Sequence, residues 1–358
     1  MDSTSEKTPY EIAAELLQFV SPDVDRRTWV TIGSVLRYEL SEDDAHSLFR
    51  EWSEGGEKFS PRDFNTTWNR IRPGTAKMAT LFHHAKEGGY RGKAANISTE
   101  YLQQRAIERA KELKTSNDQL EQERRIARRD AQRFWGYSQK PKNDHPYLVK
   151  KKIETPLGIR EFTSRKGTRF LQIPCFNKDG VLMSLQSINE EGGKYFQKGA
   201  QIMGGSMSVG KTSANKELPV LICEGWATGM SLHKASGLQT VIAFNSINLP
   251  NIVKNVREAY PERQIIIAAD NDFENKAGNV GVNAAEEGSK RIDEKNVFII
   301  KPEFSENEIE AFRKQNNGIP TDFNDMDVFF GEDVLFSRVQ AQIEANIQSK
   351  SNELSANL

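Results

Sequence analysis

The stretch IIIAADND, residues 265–272, sets five consecutive apolar residues directly against two carboxylates spaced two apart. A short apolar run bounded by polar residues reads as a strand buried on both faces, the kind found in parallel sheets. Residues two apart on an extended chain point the same way, so Asp270 and Asp272 are aimed to one side. Similar runs recur on either side: VLIC at 220–223, TVIAF at 240–244 and VFII at 297–300. Helical stretches at 227–236, 251–260 and 279–292 separate them. Strand and helix in alternation predict an α/β domain with a small, largely parallel sheet and flanking helices.

In such a sheet the working site lies beyond the carboxyl ends of the strands. Glu224 follows VLIC directly, and Asp322 and Asp325 come after VFII and what reads as a long loop. Carboxylates gathered at neighbouring strand ends repel unless a divalent cation compensates them, and all-oxygen donors suit Mg2+ or Mn2+. The direct inference is a two-metal phosphoryl-transfer site. No zinc is expected, because Cys175 and Cys223 are the only cysteines and form no CxxC or Cys/His cluster.

A rival phosphate motif is present. GSMSVGKT at 205–212 fits the pattern G-x-x-x-x-G-K-[ST], ending in Lys211 and Thr212. That pattern cradles phosphate only between a strand and a helix, where backbone N–H groups and a helix N-terminus converge. Here Pro219 follows within a few residues and no helix fits, so the stretch reads as a surface loop.

The net charge of −1 conceals a division along the chain: residues 137–215 carry +7 and residues 216–358 carry −8. A basic region beside an acidic centre suits a site that meets polyanions through divalent metals. No run approaches the ~18 apolar residues of a membrane span, and the N-terminus lacks a signal pattern, so no membrane partner and a cytoplasmic location are expected.

Upstream of the α/β region, Phe170–Pro174 and Val181–Ile188 flank Asn177-Lys178-Asp179-Gly180, a β-hairpin signal. Residues 97–135 are rich in helix formers and free of Pro and Gly, which predicts a long solvated helix docking through Phe134 and Trp135. Residues 9–90 read as a helical module. Trp29, Ile32, Val35 and Leu36 share a face, as do Phe64, Trp68 and Ile71, with helix starts at Ser21 and Ser41.

These motifs together resemble a known family. LICEGWATGMSL, AFNSINL, IIIAADND with GNVGVNAA behind it, and TDFNDM look like the Toprim domain of bacterial-type DNA primases, above all the plasmid and phage versions. GTRFLQIPCFNKDGVLMSLQSI and GGKYFQKGAQIMGG resemble the basic subdomain that precedes Toprim in those primases, placing GSMSVGK in a variable connection. DVDRRTWVTIGSVLR, FREWSEGGEKF and TTWNRI resemble the helical module named for primase C-termini.

The resemblance implies an α/β Toprim domain preceded by an α+β basic subdomain, plus an N-terminal all-α domain. The implied division is a helical module at 1–90, a charged helical linker at 91–136, the basic subdomain at 137–215, the Toprim catalytic domain at 216–335 and a C-terminal helix or tail at 336–358. By the same resemblance Glu224 is a metal ligand and general base, Asp270 and Asp272 are metal ligands, and Asp322 and Asp325 serve a further metal position. Arg169, Lys194 and Lys198 match positions for template or nucleotide. The implied activity is metal-dependent synthesis of short RNA primers on single-stranded DNA from ribonucleoside triphosphates, with a replicative helicase as a further partner. The alternatives are a Toprim nuclease and a non-catalytic accessory protein that binds DNA and recruits a helicase. Two departures stand out: the zinc module that begins full-length bacterial primases is not seen, and Asn245-Ser246-Ile247 replaces a loop that often carries Asp or small residues.

Overall fold

The computed structural model describes residues 7–71, 76–92, 99–274, 278–292, 296–316 and 318–356. Residues 97 and 98, the start of the expected long helix, lie outside them. The chain divides into two compact units, 1–119 and 120–358, with the division inside a single 39-residue helix.

The first unit holds α1 (Pro9–Leu17), α2 (Arg26–Glu39), α3 (Glu42–Glu54), α4 (Pro61–Trp68) and α5 (Met78–Glu87), and α6 (Thr99–Tyr137) begins in it. Leu16, Ile32, Leu36, Phe49, Phe64 and Leu81 are fully buried in its core. Ser41 caps α3 through the Asp44 amide, as its sequence signature predicts. Ser21 starts no helix. Asp25 caps α2 instead, its carboxylate taking the amides of both Arg27 and Thr28.

The second unit contains the rest of α6, then α7 (Pro146–Lys150), β1 (Arg160–Thr163), β2 (Arg169–Phe176), β3 (Leu182–Ile188) and β4 (Lys194–Phe196). The four strands form an antiparallel sheet in the order β1-β2-β3-β4. The Asn177 side chain closes the β2–β3 turn by accepting from the Asp179 and Val181 amides. The end of α6 packs on this sheet as expected, Ala131, Phe134 and Trp135 against Leu182 and Leu185.

A second sheet follows, made of β5 (Met207–Val209), β6 (Val220–Cys223), β7 (Thr240–Ile242), β8 (Ile265–Ala268) and β9 (Val297–Ile300), in the order β5-β7-β6-β8-β9. Its helices are α8 (Trp226–Ser236), α9 (Leu249–Ala259), α10 (Val280–Lys290), α11 (Glu306–Gln315), α12 (Phe323–Phe330) and α13 (Glu332–Ala356). Alternation sorts the two faces: Leu221 and Cys223 share a core with Leu232, Phe323 and Leu335, while Val220 and Ile222 share one with Ile252 and Ala285. Both faces are covered, which is why these strands read as unbroken apolar runs.

Two further expectations need correction. Met207–Val209, inside the phosphate-motif look-alike, is not loop but an edge strand antiparallel to β7. Three residues are too few for alternation to register in sequence. The segment before Asp322 is not a long loop either, since it contains α11, opened by a capping box in which Ser305 and Glu308 exchange bonds. That S-x-x-E signal was present in the sequence. No helix follows Lys211, however, and β5 occupies positions that the motif's loop would need, so the chain reaches β6 without a phosphate cradle. Lys211→Ala should therefore leave the metal-dependent activity expected from the sequence within about twofold of the parent, whereas a loss near 100-fold, about 2.7 kcal/mol of barrier, would return the loop to the phosphate path.

Candidate active site

Glu224 is the first residue beyond β6, the central strand of the second sheet. Its backbone is held by neighbouring β7, whose continuation donates from the Phe244 amide to the Glu224 carbonyl at 2.8 Å. Phe244 adopts φ +70 to do so, a left-handed conformation that costs a bulky residue about 1–3 kcal/mol. α8 opens two residues after Glu224, so the carboxylate stands beside a helix N-terminus, where negative charge is favoured.

On the other side, β8 runs parallel to β6 with Cys223 opposite Ala268. That register puts Asp270 just past the position facing Glu224. The Asn271 amide donates to the Thr321 carbonyl at 2.8 Å, which draws the start of α12 to the same strand end. Asp322 caps α12, its Oδ1 accepting from the Asp325 amide at 2.7 Å.

The electrostatics show that these acids sense one another. Burial pushes the Glu224 carboxyl up from its ordinary range; Lys194 opposes the shift, and Asp272 and Asp322 add to it. Asp270 is driven well above its ordinary value by burial and by Asp322, Glu224 and Asp272, again opposed by Lys194. Asp322 is raised by burial and by Asp325, against Lys151 and Lys194. One carboxylate oxygen of Asp270, Oδ1, is buried with no hydrogen-bond partner. A buried, unpaired carboxylate oxygen beside other acids is the donor set of a hard divalent cation. Among the described residues no three His, Cys, Asp or Glu side chains form a ready-made metal cage.

The basic residues fall in different places. Lys194, on β4 of the antiparallel sheet, extends Nζ to 4.0 Å from the point where a Cβ on Gly225 would stand. The ammonium therefore stands beside the residue that follows Glu224, and it opposes the upward shift of the Glu224 carboxyl. Lys198 is exposed on the segment after β4. Arg169 is not brought to the acid cluster by any described contact. Its guanidinium bonds Glu161 at 2.8 Å and Asp144 at 2.6 Å, a committed ion network. Asp325 is likewise engaged, Oδ2 with the Thr321 amide at 3.0 Å and Oδ1 with Lys151 Nζ at 3.4 Å.

Several residues with a part in this arrangement were not singled out by their own sequence signal. Asn279 caps α10, accepts from the Asp272 amide at 3.1 Å and donates to Asn271 Oδ1 at 2.7 Å, so one side chain fixes the whole turn carrying the two aspartates. Gly281 lets α10 lie directly on the backbone of Asp270. Tyr147, buried on α7, has its phenol pushed up by burial and by the nearby Asp322 and Asp325. An N-cap Asn before an apolar helix was a readable signal. The approach of Tyr147 and Lys151 was not, because both lie far from the acids in sequence.

Two families and several primases resemble parts of this chain. Residues 219–332 match the Toprim domain family and residues 13–85 match the family described as primase C terminal 2. Two DNA primases TraC of Escherichia coli are 34% and 31% identical over 159 residues, 43% of this chain. The matched segment spans only 11% and 15% of those relatives. The primase fragment of the bacteriophage T7 primase-helicase protein superposes on 49% of this chain and 72% of its own, with a TM-score of 0.34 and 12% identity.

Proposed function

We propose that this chain, whose residues 219–332 form a Toprim domain and whose residues 13–85 form a primase C terminal 2 module, is a DNA primase that joins ribonucleotides on a single-stranded DNA template. The observation that carries the reading is the set Glu224, Asp270 and Asp322: two acids just past the ends of adjoining strands and a third at the α12 N-cap drawn to them, all with raised carboxyls and faced by Lys194 from the basic sheet. The similarity to two DNA primases TraC and the resemblance to plasmid and phage primases support a role in plasmid or phage replication.

In this reading Glu224, Asp270, Asp272 and Asp322 would hold Mg2+ or Mn2+, with the Asp325 amide fixing the Asp322 carboxylate. A divalent cation held there would supply a lowered pKa for the attacking hydroxyl and a charge to offset that of the leaving group. Glu224 is the base. A carboxylate placed at the end of the central strand can take the proton of the primer 3′-hydroxyl as that oxygen attacks. The hydroxyl oxygen bonds the α-phosphorus of the incoming nucleotide as the bond to pyrophosphate breaks. Lys194 neutralises the phosphate that enters between it and the acids, and its reach over Gly225 sets the side of approach. Lys198 follows the template backbone, while Arg169, tied to Glu161 and Asp144, stiffens the basic sheet beneath it.

The functional division proposed is a partner-docking module at 1–90, a linker at 91–136, the basic subdomain at 137–215, the catalytic domain at 216–335 and a C-terminal helix at 336–358. The acidic balance of residues 1–90, a net −4, favours a protein partner such as a replicative helicase over DNA. Among the described residues no helix is long and apolar enough to cross a membrane.

Incubation with single-stranded DNA, labelled ribonucleoside triphosphates and either magnesium or manganese should yield short RNA products. Cleaved DNA in place of extended RNA would assign the site to a nuclease. Absence of either product, with DNA binding intact, would leave an accessory role.

A further inference from the structure

Beyond Asp272, past the end of β8, an open cleft of about 520 Å³ is lined by Asp272, Glu274, Arg313, Asn316, Gly318 and Thr321. We infer that this cleft seats the polyphosphate tail of the incoming nucleoside triphosphate, with Arg313 as its binding residue and Glu274 as the group the phosphate displaces. The inference rests on the nucleotidyl-transfer reading and extends it to a substrate subsite.

Arg313 belongs to the last turn of α11. A cation there is favoured by the helix C-terminus, but that accounts only for the residue's presence. It does not account for the guanidinium leaning across the cleft to Glu274, two residues past Asp272. Both partners of this ion pair are half exposed, at 47% and 50%. Water screens such a pair, so it holds weakly and is readily exchanged. The planar guanidinium fork matches phosphate oxygens in pairs, and a phosphate carries more charge than the carboxylate it replaces.

The placement also orders the substrate. Lys194 stands over Gly225, beside Glu224 at the end of β6, whereas Arg313 comes from the helix after β9, beyond the end of β8. A nucleotide whose α-phosphate meets the acid cluster between them points its β- and γ-phosphates outward to Arg313. Asp272 and Glu274 line the same cleft, so an anion is repelled until cations cover the acids. Nucleotide binding is therefore expected to require divalent metal, and Arg313 to act only in its presence.

The test measures binding of ATP with magnesium, and separately of a short single-stranded oligodeoxynucleotide, to the full chain and its Arg313→Ala, Arg313→Lys and Glu274→Gln variants. Arg313→Ala should weaken ATP binding about 10- to 100-fold, the range for losing a charge-assisted hydrogen bond, and raise KM for nucleotide with kcat nearly unchanged. Arg313→Lys should recover part of the loss, and Glu274→Gln should tighten ATP several-fold. Oligonucleotide affinity should stay level throughout. Unchanged ATP affinity in Arg313→Ala overturns the assignment, and so does a loss confined to the oligonucleotide, which would give the cleft to the template. If the parent makes primers while Arg313→Ala keeps its KM, only the subsite fails. If the parent binds ATP through Arg313 yet makes no primer, the subsite stands and the primase reading fails.

Discussion

Asp270→Asn is expected to abolish primer synthesis, by about a thousandfold or more, while making the metal-free protein more stable. The loss follows from charge. Asparagine keeps the shape of the side chain but not the anionic oxygen that a divalent cation requires at that position, and a thousandfold corresponds to about 4 kcal/mol of barrier. The gain in stability has the same origin. Burial and the neighbouring Asp322, Glu224 and Asp272 hold the Asp270 carboxyl well above its ordinary value. Between the ordinary aspartate pKa and the raised one, the folded chain therefore binds more protons than the unfolded chain. Stability then falls as pH rises through that window. Asn has no such cost, so the melting temperature of the metal-free variant should exceed that of the parent at neutral pH. The gap should close as pH falls below the ordinary carboxylate range, where Asp270 is protonated in both states. Added magnesium should raise the melting temperature of the parent and much less that of the variant. Scanning calorimetry with and without magnesium, at two pH values, reads all of this. A variant that melts below the parent in every condition would mean that Asp270 is not held against repulsion, and a variant that still synthesises primers would remove it from the cation site.

Gly281→Ala should be the most damaging change outside the acids themselves. The second residue of α10 lies against Asp270 so closely that an added Cβ would overlap its carbonyl oxygen and stand 3.1 Å from its nitrogen and carbonyl carbon. These atoms are backbone, so no rotamer relieves the clash and the helix must move away. The movement pulls at the Asn279 bonds to the Asp272 amide and to Asn271, the contacts that aim the aspartates. Overpacking of this kind costs about 1–3 kcal/mol of stability, and displacing a reacting constellation by about 1 Å costs on the order of 100-fold in rate. The protein should therefore fold, melt lower, and lose far more activity than stability. Measured side by side, a melting shift with activity retained within about threefold would show that the aspartate turn does not depend on α10.

The strands that carry the acids were legible because a strand covered on both faces must be apolar throughout. Four of the five strands of the second sheet announce themselves that way, with Glu224 and Asp270 at their ends. The helical module was equally plain from the spacing of Ile32, Leu36, Phe64 and Trp68, all of them buried. β5 escaped notice because an edge strand of three residues leaves no periodicity, and α11 because its only clear mark was the cap at Ser305.

What the chain alone determined, then, is most of the strands and helices and where carboxylates follow a strand end, since these depend on neighbours within a few positions. What only the tertiary structure decided is the charge around those carboxylates. Lys151 reaches Asp325 across 174 residues of sequence, Lys194 arrives from a different sheet, and Arg169, of the same residue class, is drawn off by Glu161 and Asp144. The energy of a buried acid is set by every charge within several ångströms of it, and the chain path that brings those charges together leaves no local trace in the order of the residues.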